Sequence, residues 1–404
     1  MLLTNKRYTP QAREMANRVT TEVSERYAKW LINPKYIVDQ NDVDKRLSLQ
    51  DRFCDDVIFD ENDRITRNQR ILLECEQSRI KEKDEKLATK QKTLKSAIDK
   101  VSMIAERMMC EKLASDEMNR LFGRVPDFGE LASFAYSPSL SFRKLGELLD
   151  NSHQLSSSVL DFVNTSGSER LSNSSKGIVD AKTALGLIGI DNCRLLFPVL
   201  MARPLLRWSD KNTNHMAPKM WQHLVVTSNV TRMRLQETDV KCPEVGVLLG
   251  TLRTMSMFVM SNLCSQVFED ALVYVMTKYR EVGLKDEYYA CADIQPSLIF
   301  LPSVIRKMDK NLTERLLNEI EWKPATIHLK NAIIEDLENI EIEERSAYGA
   351  ALGQAHKFSI YDAMQRSEAF QDKHKPYWFS TVQMPGAALT NIKTRSPGKL
   401  TYAL

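Results

Sequence analysis

The sequence lacks the short motifs by which many enzymes hold phosphates, nucleotides or catalytic metals. Its 404 residues contain no GxxxxGK[ST] loop, no GxGxxG following a strand, no GxSxG elbow and no HExxH pair. These absences exclude the commonest sites for nucleotide-dependent chemistry and for hydrolysis by serine or zinc enzymes. We therefore expect no catalytic residue, no cofactor and no bound metal.

Cysteine pairs and long apolar runs are also missing. The seven cysteines are scattered and odd in number, and none forms a CxxC pair, which is typical of reduced thiols in a cytosol. No run of 18 apolar residues occurs, and the N-terminus lacks the apolar core of a signal peptide. The sequence therefore predicts a cytoplasmic protein without a membrane span.

The charge balance gives no indication of a nucleic-acid partner. Charged residues make up 27% of the chain, yet the formal net charge is only +3. A protein that binds nucleic acid usually concentrates basic residues on one face or in one stretch. We therefore expect no nucleic-acid partner.

Glycine is absent from the first 122 residues, and only Pro10 and Pro34 interrupt them. This composition predicts a helical N-terminal region over residues 1–122. A heptad stripe runs along it, although most positions four residues further on are polar: Leu73, Ile80, Leu87, Leu94, Val101 and Met108. The stripe is compatible with a coiled-coil arm that makes a homodimer, and equally with an amphipathic helix that folds back on its own protein.

Beyond Gly123 the chain reads as short helices with clear stops. Period-two alternation of β-branched residues is almost absent, so the predicted fold class is all-α. We predict a central multi-helix domain over residues 123–335 and a helical C-terminal extension with an irregular tail over residues 336–404.

Two successive helices carry the most informative polar residues. His223 lies near the start of the apolar segment WQHLVVTSNV, and the next apolar helix, Glu244 to Met260, holds Gly250 and Thr251 near its middle. A histidine on one helix and a polar pair on the next is the layout of a metal site between helices, such as those of metal-dependent hydrolases. Glycine and threonine are poor residues for that purpose.

Several segments in order resemble the HDOD domain, the HD-related output domain of bacterial signalling proteins. The segments are RVP at Arg124 to Pro126, SFRKLGELLDNSHQLSSSVLDFVNTSG, GIVDAKTALGLIGIDNCRLL, MWQHLVVTSNV, EVGVLLGTLRTMSM and LTERLLNEIEWKP. The resemblance covers about residues 124 to 335. It implies an HD-like helical bundle related to the HD and HD-GYP phosphohydrolases but without their activity.

The resemblance also assigns the polar residues. The fifth segment is similar to a helix that in catalytic relatives reads roughly Gly-Leu-Leu-His-Asp-Ile-Gly, so the metal-binding His-Asp pair falls on Gly250 and Thr251. Arg253 would bring positive charge toward this place and repel a metal cation. His223 alone does not make a metal centre. The expected relict pocket therefore comprises His223, Gly250, Thr251 and Arg253.

We therefore expect a non-catalytic signalling or scaffold protein that binds protein partners in a bacterial signalling pathway. One alternative is a receptor that binds a signalling nucleotide without turnover, in a pocket lined by His223 and Arg253. The least favoured alternative is a metal-dependent phosphohydrolase, because its ligands are missing at Gly250 and Thr251.

Overall fold

A computed structural model describes residues 2–4, 6, 8–37, 74–137, 140–166 and 177–400. Over these residues the secondary structure is helical and contains no strand. The predicted all-α fold class is therefore confirmed. Leu73, the first position of the heptad stripe, lies outside the described residues.

The described α-helices are short in the centre of the chain and longer at α1, α2 and α11. Three single turns of 3₁₀-helix accompany them, at Pro34–Tyr36, Arg203–Leu205 and Asp372–His374. The α-helices are α1 (Pro10–Ile32), α2 (Glu74–Ser115), α3 (Met118–Phe122), α4 (Phe128–Ala135), α5 (Phe142–Asn151), α6 (His153–Ser166), α7 (Ala181–Ile188), α8 (Ile190–Ala202), α9 (Ala217–Leu235), α10 (Val245–Thr254), α11 (Ser256–Val282), α12 (Lys285–Ala292), α13 (Leu301–Glu319), α14 (Ile327–Leu337), α15 (Ala347–Arg366), α16 (Lys375–Ser380) and α17 (Gly386–Thr394).

Local capping explains where several of these helices begin and end. Asp127, Asp180 and Ser346 stand at the N-caps of α4, α7 and α15, and each side chain accepts a hydrogen bond from a backbone N–H of the first turn. Gly189 closes α7 with a φ of 80°, a backbone conformation that favours glycine.

The chain divides into two compact units. The first unit comprises the described residues of Met1–Ile32, Met109–Ser265 and Leu301–Leu404, and the second comprises those of Asn33–Met108 and Gln266–Phe300. The division falls within α2 and α11. The predicted boundaries after residues 122 and 335 follow composition and stay predictions, whereas the compact units follow packing.

Three helices form the centre of the first unit. Helix α9 packs closely against both α10 and α15, and α1 packs against α13 and α16.

The apolar segment predicted as one helix from Glu244 to Met260 divides at Met255 into α10 and α11. The run Val245–Val282 is long and apolar enough to cross a membrane, but 89% of its most apolar window is buried inside the protein. That burial is what a core helix experiences.

The heptad stripe on α2 changes character along the helix. Ile80 and Leu87 are 46% and 55% exposed, whereas Val101 is fully buried. The N-terminal half of the described helix therefore presents its stripe to solvent, and the C-terminal half packs against its own protein.

Candidate functional site

Gly250 lies where α10 crosses α9 at very close range. A Cβ added at Gly250 would stand 2.4 Å from the Cα and 2.5 Å from the backbone nitrogen of Ser228. Gly246, one turn earlier, approaches α9 in the same way, with a built Cβ 2.5 Å from the backbone nitrogen of Arg232. Ordinary contacts of a Cβ lie at 3.4–4 Å, so the crossing requires glycine at both positions. Gly250 is the position at which, by the family resemblance, catalytic relatives have a metal-binding histidine. In this chain that position is a contact between two helix backbones.

Thr251 is also used in this crossing. Its side chain is fully buried, and its hydroxyl lies 3.3 Å from the Ser228 hydroxyl across the interface. One turn later the Thr254 hydroxyl donates to the Gly250 carbonyl at 2.9 Å. The Thr251–Ser228 contact joins the two helices, whereas the Thr254 hydrogen bond lies within α10; both satisfy polar groups that are buried.

His223 is buried on α9 and faces α15. The Ser359 hydroxyl lies 2.8 Å from His223 Nδ1 and donates to the His223 carbonyl at 3.2 Å. The Ser359 hydroxyl thus pairs with both the ring and the backbone of His223. Nε2 has no hydrogen-bond partner among the described residues.

The surroundings of His223 keep its imidazole neutral. Its ring centroid lies 5.4 Å from that of Tyr27 and 5.3 Å from that of His356. Burial, with a further contribution from the nearby Arg253 cation, lowers the pKa of His223 to about 3. A neutral ring in this setting is suited to packing between α1, α9 and α15.

Arg253 is the central cation of the site. Its Nε donates to Asp336 at 2.9 Å, and one terminal nitrogen donates to Asp309 at 2.9 Å. Burial alone would lower the pKa of this guanidinium, but the two carboxylates raise it above its ordinary value. Asp336 also accepts from Arg345 at 3.0 Å, and the neighbouring cations hold the pKa of Asp336 below its ordinary value despite its burial. Arg253 and Asp336 are therefore both ionised at neutral pH.

The residues at this site do not fit a divalent metal of the HD type. Gly250 offers no ligand atom, the Thr251 hydroxyl faces Ser228, and the guanidinium of Arg253 already occupies the two carboxylates nearest to it. Over the described part of the chain, no group of three or more His, Cys, Asp or Glu side chains has the geometry to hold a metal ion.

A cavity of about 730 Å³ opens beside the arginine network, within the first unit. Arg253, Asp309, Asp336 and His356 belong to its lining, and α1 contributes a further wall. His223, Gly250 and Thr251 are not part of the described lining. The residues grouped from the sequence as a relict pocket thus divide among three places. Gly250 and Thr251 lie in the α9–α10 crossing, His223 packs against α15, and Arg253 lines the cavity.

Sequence reasoning missed most partners of the predicted residues. These partners lie on α13, α14 and α15 and are far in sequence from the residues they contact: Asp309, Asp336, His356 and Ser359. The separation is 56 residues between Arg253 and Asp309 and 136 residues between His223 and Ser359. The available signal was the presence of polar residues inside otherwise apolar helical segments, as in the run around His356. That pattern identifies buried polar groups but does not tell which of them meet.

A known protein family matches part of this chain. The sequence model of the HDOD domain family matches residues 127–288, which include α4 to α11 and the α9–α10 crossing. No curated protein and no solved structure matches the chain. The chain therefore contains an HDOD domain, a helical HD-like domain, at residues 127–288.

Proposed function

We propose that this chain is a non-catalytic signalling or scaffold protein that binds protein partners, in the bacterial cytoplasm, through a degenerate HD-type domain. The observation that carries the proposal is the close approach at Gly250, where a Cβ would stand 2.4 Å from Ser228 Cα. A histidine at that position requires α10 to move away from α9. The helix pair is therefore built for packing at the place where catalytic relatives bind a metal.

The charge of the site supports the same proposal. A phosphohydrolase needs a metal cation to polarise phosphate and to activate water. Here Asp309 and Asp336 bind the guanidinium of Arg253 instead, and the buried imidazole of His223 makes its hydrogen bond to Ser359. Displacing an arginine that is bound by two carboxylates would leave buried charges without partners, which is costly.

Exposed apolar side chains on α2 support binding to another protein. Ile80 and Leu87 share one face of this 42-residue helix and are 46% and 55% exposed. Exposed apolar residues repeated at helical spacing are typical of surfaces that bind another helix. The proposed cytoplasmic location is supported by free thiols at four cysteines of the described part of the chain, Cys193, Cys242, Cys264 and Cys291.

Partner binding is tested by capture from the native cytosol with the full chain as bait. We expect partners that bind the wild-type chain and are lost from a variant with Ile80→Glu and Leu87→Glu. Val179→Glu is the matched control, because Val179 is 87% exposed and lies outside α2. Retention of every partner by the double variant would contradict a role for α2 in binding.

A receptor that binds a nucleotide without turnover is the second candidate function. The observation that favours it is the cavity of about 730 Å³ with Arg253 in its lining, a volume within the range of small-molecule sites. Calorimetry with common signalling nucleotides tests it, with saturable heat expected from a receptor. Absence of heat at millimolar nucleotide would count against this candidate and leave partner binding unaffected.

A further inference from the structure

A short C-terminal segment of the chain lies in an apolar groove of the HDOD domain. We call residues 396–400, which follow α17, the C-terminal turn. Its last residue, Leu400, lines a cavity of about 440 Å³ together with side chains of α6, α8 and α9. Five of the other lining residues are Leu196, Leu200, Trp208, Trp221 and Val225. The groove and the C-terminal turn both belong to the first unit.

One buried side chain of α9 binds the backbone of the C-terminal turn. Asn229 is fully buried, and its Nδ2 donates to the Pro397 carbonyl at 3.1 Å and to the Lys399 carbonyl at 2.8 Å. Arg232 donates to Asn229 Oδ1 at 2.9 Å, and because arginine only donates, this bond orients the amide with Nδ2 toward the turn. Both donor hydrogens of Asn229 are therefore used on main-chain oxygens, so this residue recognises the shape of the turn.

The sequence of the C-terminal turn fits this recognition. The Lys399 N–H donates to the Ser396 carbonyl at 3.0 Å, which closes a four-residue turn with Pro397 and Gly398 at its centre. Proline fixes its own φ before the segment binds, and proline and glycine are both typical turn residues. The segment thus presents two carbonyls at a set spacing, and Leu400 follows them into the groove.

The C-terminal turn is held less firmly than the helices it contacts. Ser396 and Lys399 are exposed, whereas Asn229 and its neighbours on α9 are buried. Ser396 has a φ of 51°, a backbone conformation that side chains other than glycine rarely adopt. Exposed segments with few buried contacts open at a lower free energy than core helices. The turn can therefore leave the groove while α9 remains folded.

Opening would uncover an apolar surface with two aromatic rings. Trp208 is already 41% exposed, and its ring centroid lies 5.8 Å from that of Trp221. Aromatic side chains are enriched where proteins bind one another, and apolar grooves with a few placed hydrogen-bond donors bind peptide segments. The groove has both features, with Asn229 as the donor.

We propose that the C-terminal turn is an internal ligand of this groove, and that a partner protein binds there through a segment of the same kind, a proline–glycine turn followed by leucine. The partner displaces the chain's own turn, because both require the two donor hydrogens of Asn229. The inference rests on the proposed partner binding and gives the chemistry of one partner. This groove is a different surface from the exposed stripe on α2.

The experiment uses a synthetic peptide with the sequence of residues 395–400, blocked at both ends and labelled for fluorescence anisotropy. In the wild-type full chain the attached turn competes with the peptide at an effective concentration on the order of millimolar. Leu400→Gln in the full chain removes the apolar contact of the attached turn. We therefore expect saturable binding of the peptide to this variant, at least tenfold tighter than to the wild type.

Lys399→Gln in the full chain is the matched control. Lys399 precedes Leu400 and receives the same new side chain, but it is exposed and gives only its carbonyl to Asn229. The attached turn should stay in the groove of this variant. We therefore expect the peptide to bind it with wild-type affinity.

Two further comparisons connect the binding to the groove. A peptide with glutamine in place of its leucine should bind the Leu400→Gln variant at least tenfold more weakly than the original peptide. Adding Asn229→Asp to Leu400→Gln replaces both donor hydrogens by an acceptor and should abolish binding, with urea denaturation to establish that the double variant is folded. The comparison of the two peptides decides the question by itself where Asn229→Asp prevents folding.

Any of three results would overturn the inference. Absence of saturable binding to the Leu400→Gln variant would show that the groove does not bind such a segment. Equal affinity for wild type and Leu400→Gln would show that the attached turn does not compete. Equal affinity of the leucine and glutamine peptides, or binding retained in a folded Asn229→Asp variant, would place the peptide elsewhere. These titrations contain no cytosolic partner, so their failure is distinct from a failure of partner capture through α2.

Discussion

Replacing Gly250 with alanine is expected to destabilise the first unit through one added methyl group. The built Cβ stands 2.4 Å from Ser228 Cα, whereas ordinary contacts begin at 3.4 Å, so α9 and α10 must separate by about 1 Å. Adding atoms to a well-packed core costs about 1–3 kcal/mol, and here the obstacle is backbone and cannot rotate away. Alanine in a helix recovers about 0.5–1 kcal/mol relative to glycine. We therefore expect a net loss of about 2 kcal/mol.

The assay is urea denaturation followed by tryptophan fluorescence. All five tryptophans belong to the first unit, so the signal reports on that unit: Trp30, Trp208, Trp221, Trp322 and Trp378. Gly186→Ala is the matched control, because Gly186 lies inside α7 with no atom of the described structure within 4 Å of a built Cβ. That variant is expected to gain about 0.5–1 kcal/mol. A Gly250→Ala protein as stable as wild type would refute the reasoning.

Three further outcomes follow from the same structure. His223 is neutral when folded and takes a proton when unfolded below its ordinary pKa of 6.5, so stability should fall as pH drops from about 6.5 toward about 3. The urea midpoint of the His223→Gln variant should therefore fall less steeply with decreasing pH than that of the wild type. Part of the pH dependence should remain, because the pKa of His356 is also lowered in the folded state. Arg253→Leu should lose about 3–5 kcal/mol because it breaks a buried ion-pair network, whereas Arg306→Leu, which breaks an exposed pair, should lose less than about 1 kcal/mol, both measured by urea denaturation. If the exposed stripe on α2 mediates self-association, sedimentation equilibrium should show a dimer, and Ile80→Glu should convert it to a monomer. A wild-type monomer at every concentration would contradict self-association through this stripe.

The all-α fold and its family could be predicted because both depend on local patterns. The short helices follow from apolar spacing and from caps such as Asp180 and Gly189, which act within a few residues. The position of α1 could not be predicted. By composition, α1 belongs with residues 1–122, whereas its packing against α13 and α16 places it in the first unit. These contacts join residues that are distant in sequence, so the local pattern of α1 does not reveal them.

The candidate site was predictable only at the two helices that carry its motif. The family resemblance marks Gly250 as a position without a ligand atom, but the close approach to Ser228 depends on the crossing of α9 and α10, which the pattern of one helix does not reveal. Arg253 was expected to repel a cation, and its pairing with Asp309 and Asp336 requires the positions of α13 and α14. Ion pairs between residues this far apart in sequence leave no local signature.

The central claim is that the HD-type pair has been replaced by packing and an internal arginine, so that the protein binds without catalysing hydrolysis. Metal analysis of the purified full chain, together with a phosphodiesterase assay in added manganese, iron or zinc, tests it most directly. We expect less than stoichiometric metal and no turnover above the protein-free rate. Stoichiometric metal with turnover that is lost in His223→Ala would contradict the claim.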